Sequence, residues 1–307
     1  MKTIKILAVG NSYSNNTTRY ISKIVDSSKT DTKIFAASLY FPGATLAQHV
    51  KNINAWNSLL ENHSVEETRE IYYSDKVSAG LKYECLYVGA TQMPIISLYE
   101  AIRYEDWDYI TVQQSPDGCD DFSSYWTVEE PYLTQVCDLI EAEYNREDMK
   151  NKKCPPIFVH QTWSFNCDMS RDNAYPNYPV AYESNTEMFK KIEEANLLAA
   201  KKIEETRGYA PIIIKSGEAV QLAQDEYGYS RKASPNLADN TIYNDYISHL
   251  NARGCYLAAC VWIETFAQLT GAKIDISTSS FLPPVEGATL EDCQKLQNIA
   301  RKVVKKQ

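Results

Sequence analysis

Five short apolar segments, separated by longer amphipathic ones, constrain the fold of this chain more than any other feature. The segments are Ile4–Val9, Lys33–Ala37, Tyr109–Gln113, Ile157–His160 and Ile212–Lys215. Short runs of this kind, ended by polar residues or glycine, are typical of strands buried on both faces of a parallel sheet. Between them lie stretches of helical period, clearest at Thr18–Ser27, Leu46–Glu61, Tyr132–Tyr144, Glu183–Thr206 and Arg253–Leu269. The alternation predicts βαβ units and therefore an α/β fold with a five-stranded parallel sheet.

One segment between the second and third strands interrupts this alternation. Glu70–Lys76 and Lys82–Tyr87 have strand-like composition on either side of Val77–Gly80. They predict a small β-hairpin insertion at about residues 70–90, at the rim of a pocket. A second irregular stretch, Asn166–Pro179, is rich in Asn, Pro and Tyr and predicts a long loop. No repeat or linker divides the sequence, so we expect one domain over residues 1–307.

The composition argues against several classes of function. A formal net charge of -9 repels phosphate groups, so we expect no nucleic-acid or membrane partner. The first apolar run is too short for a signal peptide and no segment is long enough to cross a bilayer, which predicts a cytoplasmic protein. Eight cysteines form no CxxC pair, and none of the four histidines stands at ligand spacing from a cysteine. We therefore expect free thiols and no metal site.

In open α/β sheets, ligands bind beyond the carboxyl ends of the strands, so the residues after each strand are candidates for a site. Ser12 follows the first strand, where backbone N–H groups and the dipole of the next helix can stabilise a negatively charged oxygen. Serine at such a turn also serves as a helix N-cap. Gly43 follows the second strand, where the missing Cβ lets a backbone N–H approach a substrate. Pro42-Gly43 also suits an ordinary turn.

Two amides and two aromatic side chains follow the next strands. Gln113 and Gln114 end the third strand, where an amide can donate to a developing negative charge or satisfy loop carbonyls. His160 ends the fourth strand and is interpreted as a hydrogen-bonded structural residue. Trp163 follows it and suits either the wall of a pocket or a cap on the core.

One further histidine stands near the carboxyl terminus. His249 follows Asp245 on an irregular segment that leads into an apolar helix. A carboxylate shortly before a histidine can orient the imidazole and stabilise its cation. The alternative is a helix-capping segment that happens to contain a histidine.

Four blocks of this sequence, in the same order, resemble the SGNH (GDSL-like) hydrolase superfamily, and more narrowly an uncharacterised bacterial branch of it. The blocks are Gly10-Asn11-Ser12-Tyr13-Ser14, Trp107-Asp108-Tyr109 with Gln113-Gln114, His160-Gln161-Thr162-Trp163, and His249-Leu250 with Gly254 and Tyr256–Ala259. The resemblance extends from residue 4 to about residue 271. It implies a three-layer α/β/α sandwich with a flavodoxin-like parallel sheet.

The resemblance also implies a serine esterase without a cofactor. Ser12 is then the nucleophile and His249 the general base and acid. The implied oxyanion hole consists of the backbone N–H groups of Ser12 and Gly43 and a side-chain amide, which we assign to Gln114, with Gln113 as the second choice. At the end of the third strand the superfamily commonly has Asn, whereas this chain has Gln. A Gln at this position resembles the carbohydrate acetylesterase branches of the superfamily. The implied substrate is therefore a small acyl ester, above all an O-acetyl group on a carbohydrate. We assign further substrate contacts to Asn11, Tyr13, Gln113 and Trp163.

This sequence departs from the superfamily pattern at the acid. The usual spacing is Asp-x-x-His, whereas Tyr246 occupies that position here and Asp245 lies four residues before His249. Either a local bulge restores the contact, or the pair works as a Ser-His dyad oriented by a backbone carbonyl. The shifted acid favours one alternative, a non-catalytic carbohydrate or metabolite binder on the same fold. A second alternative is an acyltransferase, thioesterase or lipase-like relative, because one fold hosts many chemistries.

Overall fold

The computed structural model describes residues 1–78, 84–165, 182–231, 240–244, 249–284 and 288–305. In this part of the chain the protein is an α/β structure built on a mostly parallel sheet. The strands are β1 (Lys2–Gly10), β2 (Lys29–Thr30), β3 (Thr32–Tyr40), β4 (Cys85–Val88), β5 (Thr91–Gln92), β6 (Tyr109–Val112), β7 (Ile157–His160), β8 (Ile213–Ile214) and β9 (Ile274–Asp275). Seven of them form the central sheet, and β2 pairs with β9 apart from it.

The order of the central sheet is β5-β4-β3-β1-β6-β7-β8. Its five strands from β3 to β8 are mutually parallel. Counted in chain order, these five have the spatial order 2-1-3-4-5 of flavodoxin-like sheets. The predicted α/β class and the mostly parallel sheet are therefore confirmed. The predicted number of strands is wrong, because β4 and β5 add two antiparallel strands at the edge next to β3.

Helices cover both faces of the sheet. They are α1 (Ser12–Thr18), α2 (Ile21–Asp26), α3 (Leu46–Leu60), α4 (Val65–Ser78), α5 (Leu98–Tyr104), α6 (Tyr132–Tyr144), α7 (Asn185–Arg207), α8 (Ser216–Tyr227), α9 (Ala252–Thr270) and α10 (Leu290–Val304). Short 3₁₀ turns lie at Phe122–Ser124, Glu147–Met149 and Ile276–Thr278. None of the helices in the described ranges is both long enough and apolar enough to cross a bilayer.

The alternation of side chains along β1 divides the apolar interior into two cores. Ile4, Ile6 and Ala8 pack with α1, α2, α8, α9 and α10 on one face. Leu7 and Val9 pack with α3, α5, α6 and α7 on the other. Because successive side chains of a strand point to opposite faces, a continuous apolar run fills both cores at once. This is why the parallel strands were readable from the sequence.

The predicted hairpin insertion is wrong in its first half. Glu70–Lys76 belongs to the helix α4, which packs on α3 through one buried stripe of side chains, Thr68, Tyr72 and Lys76. The ring of Tyr72 meets Trp56 of α3 edge to face, with 5.3 Å between centroids. This packing outweighs the strand propensity of Ile71-Tyr72-Tyr73, which is a weak and context-dependent preference.

A hairpin does exist, but it is shorter and comes later, from β4 to β5. It adds to the central sheet through antiparallel pairing of β4 with β3. The predicted stretch Thr18–Ser27 contains two helices, since α1 ends at Thr18 and α2 begins at Ile21. The predicted loop Asn166–Pro179 lies outside the described residues, and the single domain over residues 1–307 stays a prediction.

Candidate active site

The structure brings Ser12 and His249 together, although 237 positions separate them in the sequence. The Oγ atom of Ser12 lies 2.8 Å from Nε2 of His249. Ser12 is the first residue of α1, directly beyond the carboxyl end of β1, and His249 precedes α9. Both side chains are partly exposed to solvent. A hydroxyl at this distance from an imidazole nitrogen is within reach of proton transfer.

Asn11 fixes the turn that carries Ser12. Its side chain is completely buried, accepts a hydrogen bond from the Tyr13 N–H at 3.0 Å and donates one to the Ala44 carbonyl at 3.1 Å. It therefore caps α1 and ties this turn to the loop after β3. Asn11 does not reach the pocket described below, so the structure does not place it where it was predicted to contact substrate.

Gln113 holds the same turn from the neighbouring strand. Its Oε1 atom accepts hydrogen bonds from the Asn11 N–H at 3.3 Å, the Ser14 N–H at 3.2 Å and the Ser14 hydroxyl at 2.9 Å. A Cβ atom on Gly10 would lie 2.6 Å from that oxygen, so any larger residue at the end of β1 would displace the Gln113 amide. Gln113 is buried and lies behind the turn rather than in the pocket.

Gln114 is also engaged in holding loops. Its Oε1 atom accepts from the Leu46 N–H at 3.0 Å and the Ser115 N–H at 2.8 Å, and its amide nitrogen lies 2.6 Å from the Ser124 carbonyl. Two backbone donors on one side and a carbonyl on the other fix the orientation of the amide. Because the amide nitrogen donates to Ser124 and Gln114 does not line the pocket, the geometry does not bring this amide to the predicted oxyanion hole.

Gly43 lies in a turn that lines the same pocket as Ser12. The Ala44 N–H donates to the Phe41 carbonyl at 3.1 Å, and Gly43 has φ of +67°. Proline at the second position and a positive φ at the third are the pattern of a type II turn. Within the described ranges, the backbone N–H groups of Ser12 and Gly43 donate no hydrogen bond. Two backbone donors are therefore available at the site.

Ser12 and His249 share a pocket of about 200 Å³. The described residues in its wall are Ser12, Tyr13, Tyr40, Pro42, Gly43, Ser115, Pro116, Asp117, Phe165 and His249. Pockets for drug-sized ligands are larger, about 300–1,000 Å³, so this one suits a small group. Tyr40, Phe165 and the segment Ser115–Asp117 were not predicted as wall residues from the sequence. Tyr40 ends β3 and Ser115 directly follows Gln114, so the strand-end rule would have found both.

Tyr13 links the imidazole to the core. It lines the pocket and meets His249 edge to face, with 6.1 Å between ring centroids. On its other side it stacks on Trp163, with centroids 4.3 Å apart and planes 14° from parallel. Trp163 is completely buried and does not reach the pocket, so it supports Tyr13 rather than contacting a ligand.

The segment around His249 is held at both ends. The Asn244 N–H donates to the His249 carbonyl at 2.8 Å, and the Leu250 N–H donates to Oδ1 of Asn16 at 3.2 Å. The second bond connects the histidine segment directly to α1, the helix that carries Ser12. Asp245, the predicted acid, lies outside the described residues.

Two other histidines are buried and have structural contacts. Nε2 of His160 lies 3.1 Å from the Ser216 hydroxyl, as expected for a structural residue, and burial lowers the pKa of His160 to about 3. His49 was not singled out from the sequence. Its Nδ1 lies 2.9 Å from a carboxylate oxygen of Glu84, and its Nε2 donates to the Gly10 carbonyl at 3.1 Å. This buried pair fixes the end of β1 two residues before Ser12.

The described residues contain no group of three or more His, Cys, Asp or Glu side chains placed to bind a metal ion. Seven of the eight cysteines are described, and all seven are free thiols. None of them lines the pocket. Burial raises the pKa of Cys119, Cys137 and Cys255 to about 12, so these thiols are poor nucleophiles.

Comparison with known proteins identifies a family. The model of a family described as a domain of unknown function (DUF4886) matches residues 5–289. The crystal structure of a DUF4886 family protein from Bacteroides uniformis ATCC 8492, at 1.50 Å resolution, is similar to this chain with a TM-score of 0.67. The two are 22% identical in sequence over 99% of this chain and 95% of that one, which shows a shared fold. None of the curated proteins matches with significance. Because the family model spans most of the chain, the protein belongs to the DUF4886 family.

Proposed function

We propose that this protein is a serine esterase of the SGNH type, with a three-layer α/β/α sandwich as its scaffold. The observation that carries the proposal is the 2.8 Å contact between Ser12 Oγ and His249 Nε2 in a solvent-accessible pocket. The pocket lies beyond the carboxyl ends of parallel strands, where α/β proteins bind ligands. A histidine on one segment within hydrogen-bond distance of a serine at the start of a helix is the arrangement expected of an activated hydroxyl nucleophile.

The proposed reaction proceeds through an acyl-serine intermediate. His249 removes the Ser12 proton while Oγ attacks the ester carbonyl, and the backbone N–H groups of Ser12 and Gly43 stabilise the resulting oxyanion. The bond to the leaving oxygen then breaks, and His249 gives the proton to the departing alcohol. Water, activated by the same imidazole, releases the acid and regenerates Ser12. The residues named here supply each proton transfer, so the scheme needs no metal or organic cofactor.

Two features of the proposed machinery differ from a complete superfamily site. The acid that orients His249 is assigned to Asp245, with the dyad and a backbone carbonyl as the alternative. The oxyanion hole has two backbone donors, because the Gln114 amide is bonded to Ser124. Tyr13 adds a steric contact that keeps the imidazole in place.

The proposed substrate is an ester of a small acyl group, most simply an acetyl group on a carbohydrate. The pocket volume of about 200 Å³ supports a short acyl chain. Tyr40 and Phe165, which are partly exposed in its wall, offer aromatic faces on which a sugar ring can stack. A lipase-like relative would need room for a long acyl chain.

Replacement of the nucleophile tests the proposal. Ser12→Ala should reduce hydrolysis of 4-nitrophenyl acetate at least about 10³-fold, because members of a catalytic unit contribute together. It should also abolish covalent labelling by a fluorophosphonate probe. The melting temperature should stay close to that of the wild type. Ser74→Ala, at an exposed position on α4, is the matched control and should keep full turnover and labelling. Undiminished turnover by Ser12→Ala would overturn the assignment.

A non-catalytic carbohydrate binder is the second candidate function. The observation in its favour is the orientation of Gln114, which leaves the proposed oxyanion hole without a side-chain donor. This candidate predicts that Ser12 resists the fluorophosphonate probe while an acetylated sugar binds saturably. Labelling of Ser12 would exclude it.

A further inference from the structure

One carboxylate in the pocket has no part in the proposed mechanism. Asp117 lies on the loop after β6 and lines the same pocket as Ser12 and His249. Its side chain is exposed, and no lysine or arginine of the described residues is paired with it. Its own backbone N–H donates to the Ser115 hydroxyl at 3.5 Å, which fixes the turn. Among the described residues, the pocket therefore contains a negative charge beside Ser12 and His249 that no lysine or arginine compensates.

The surroundings of Asp117 strengthen this negative field. The segment from Ser115 to Ser124 contains three aspartates and no basic residue. Partial burial and the negative charge of Asp120 raise the pKa of the Asp117 carboxyl above its usual value. Asp120 accepts a hydrogen bond from the Tyr182 hydroxyl at 2.6 Å, and Asp121 accepts from the Ser123 N–H at 2.9 Å. Asp117 is thus the aspartate of this segment that faces the pocket.

We propose that Asp117 is a specificity determinant, which makes the pocket accept esters with a cationic or neutral group near the scissile bond and reject esters with an anionic one. This inference rests on the proposed esterase function. An anionic group would meet the unpaired carboxylate, whereas an ammonium or a hydroxyl can donate hydrogen bonds to it.

The size of the effect follows from elementary electrostatics. A substrate charge about 6 Å from the carboxylate, in an effective dielectric of about 40 to 80, changes binding about 3- to 10-fold for each unit of charge. Because Asp117 is exposed, added salt weakens the effect. A difference of this size between charged and neutral esters is large enough to measure in kcat/KM.

Three acetyl esters with the same acyl group test the inference. They are 3-acetoxybenzoate, its neutral methyl ester, and 3-acetoxy-N,N,N-trimethylanilinium. Each is assayed with the wild type and with Asp117→Asn, which keeps the shape of the side chain and removes its charge. The ratio of kcat/KM between variant and wild type cancels the intrinsic reactivity of each ester. The matched control is Asp121→Asn, on the same segment but outside the pocket wall.

The expected result is a change that depends on the charge of the substrate. Asp117→Asn should raise kcat/KM for the anionic ester about 3- to 10-fold, lower it for the cationic ester by a similar factor, and leave the neutral ester within about twofold. Asp121→Asn should leave all three within about twofold. Equal changes for the three esters, or no change, would overturn the inference alone. Absence of wild-type turnover of the neutral ester, or turnover that survives Ser12→Ala, would overturn the esterase proposal and the inference with it.

Discussion

Gln113 and Gln114 are adjacent residues of the same type, and the side chain of each accepts hydrogen bonds from a different segment of the chain. Gln113 accepts hydrogen bonds from the start of α1, while Gln114 accepts from the start of α3. Successive side chains at the end of a strand point in opposite directions, so two neighbouring amides can reach two loops. Both side chains are buried, where an unpaired polar group costs free energy. The two residues therefore hold the starts of α1 and α3 in place without lining the pocket themselves.

Gln114→Ala distinguishes a positioning role from a catalytic one. The substitution leaves the Leu46 and Ser115 N–H groups without their acceptor, so we expect a loss of about 1–3 kcal/mol in the free energy of unfolding. The expected loss in kcat is below about tenfold. Loss of an oxyanion donor would instead reduce kcat about 10²- to 10³-fold. Urea denaturation and ester hydrolysis measure the two quantities. A large loss of kcat at unchanged stability would restore Gln114 to the oxyanion hole.

At the scale of elements, three loops beyond the carboxyl ends of β1, β3 and β6 are bonded to one another. Asn11 connects the first loop to the second through the Ala44 carbonyl, and Gln114 connects the third to the second. The buried pair of His49 and Glu84 adds a bond from α3 and from the segment before β4 to the end of β1. Loops held in this way can keep catalytic groups in place without rigid secondary structure of their own.

Gly43→Ala tests the turn that faces Ser12. No atom lies within 4 Å of the position that a Cβ would take, so the cost comes from the positive φ alone. We expect about 1–2 kcal/mol of lost stability. We also expect about a tenfold loss in kcat/KM, because relief of the strain rotates the Gly43 N–H away from the oxyanion.

The control for this prediction is Gly208→Ala. Gly208 has φ of +72° and an equally open Cβ position, but it caps α7 and does not line the pocket. Its substitution should cost similar stability in thermal denaturation and leave ester hydrolysis unchanged. If both variants retained full activity, Gly43 would have no part in the oxyanion hole.

At the scale of the whole molecule, the candidate site lies where the order of strands reverses. The chain passes from β1 outward to β3 and then returns to β6 on the other side of β1. The loops that leave neighbouring strands in opposite directions open a crevice at such a switch point. Ser12, Gly43 and Asp117 follow β1, β3 and β6 respectively, so all three strands contribute to one pocket.

The buried neutral His160 should make the folded protein sensitive to acid. Its pKa is about 3 in the folded state and about 6.5 in an unfolded chain. Between these values the unfolded state binds a proton that the folded state does not. The stabilising contribution is therefore complete above about pH 6.5 and is lost as pH falls towards 3, by at most about 1.4 kcal/mol per pH unit.

Urea denaturation between pH 7.5 and pH 4.5 measures this dependence. His160→Gln removes the proton-binding site, so its free energy of unfolding should fall less steeply with acid than that of the wild type. His63→Gln, at an exposed position, is the control and should keep the wild-type slope. Identical slopes for the wild type and His160→Gln would contradict the prediction.

The sequence by itself determined the class of the fold and the positions of its parallel strands. A strand buried on both faces must be apolar throughout, and this pattern is visible without any partner. The edge strand β5 was missed because it is only two residues long and both residues are polar. The strand-like composition of β4 was recognised, but its predicted hairpin partner is helical and its real partners are β3 and β5. Residues 70–76 have strand propensity but form helix, since the contact of Tyr72 with Trp56 depends on a helix elsewhere in the chain.

For the candidate site, the sequence predicted positions along the chain but not the directions of all the side chains. The strand-end rule located Ser12 and Gly43, and the last block located His249, so their positions along the chain were readable. The directions of Gln114 and Trp163 were not, because they depend on the Leu46 N–H and on the Tyr13 ring, which only the folded chain brings near. Periodicity fixes where a residue lies on its own element. Tertiary structure decides which buried donors, acceptors and rings surround it, and so which way its side chain turns.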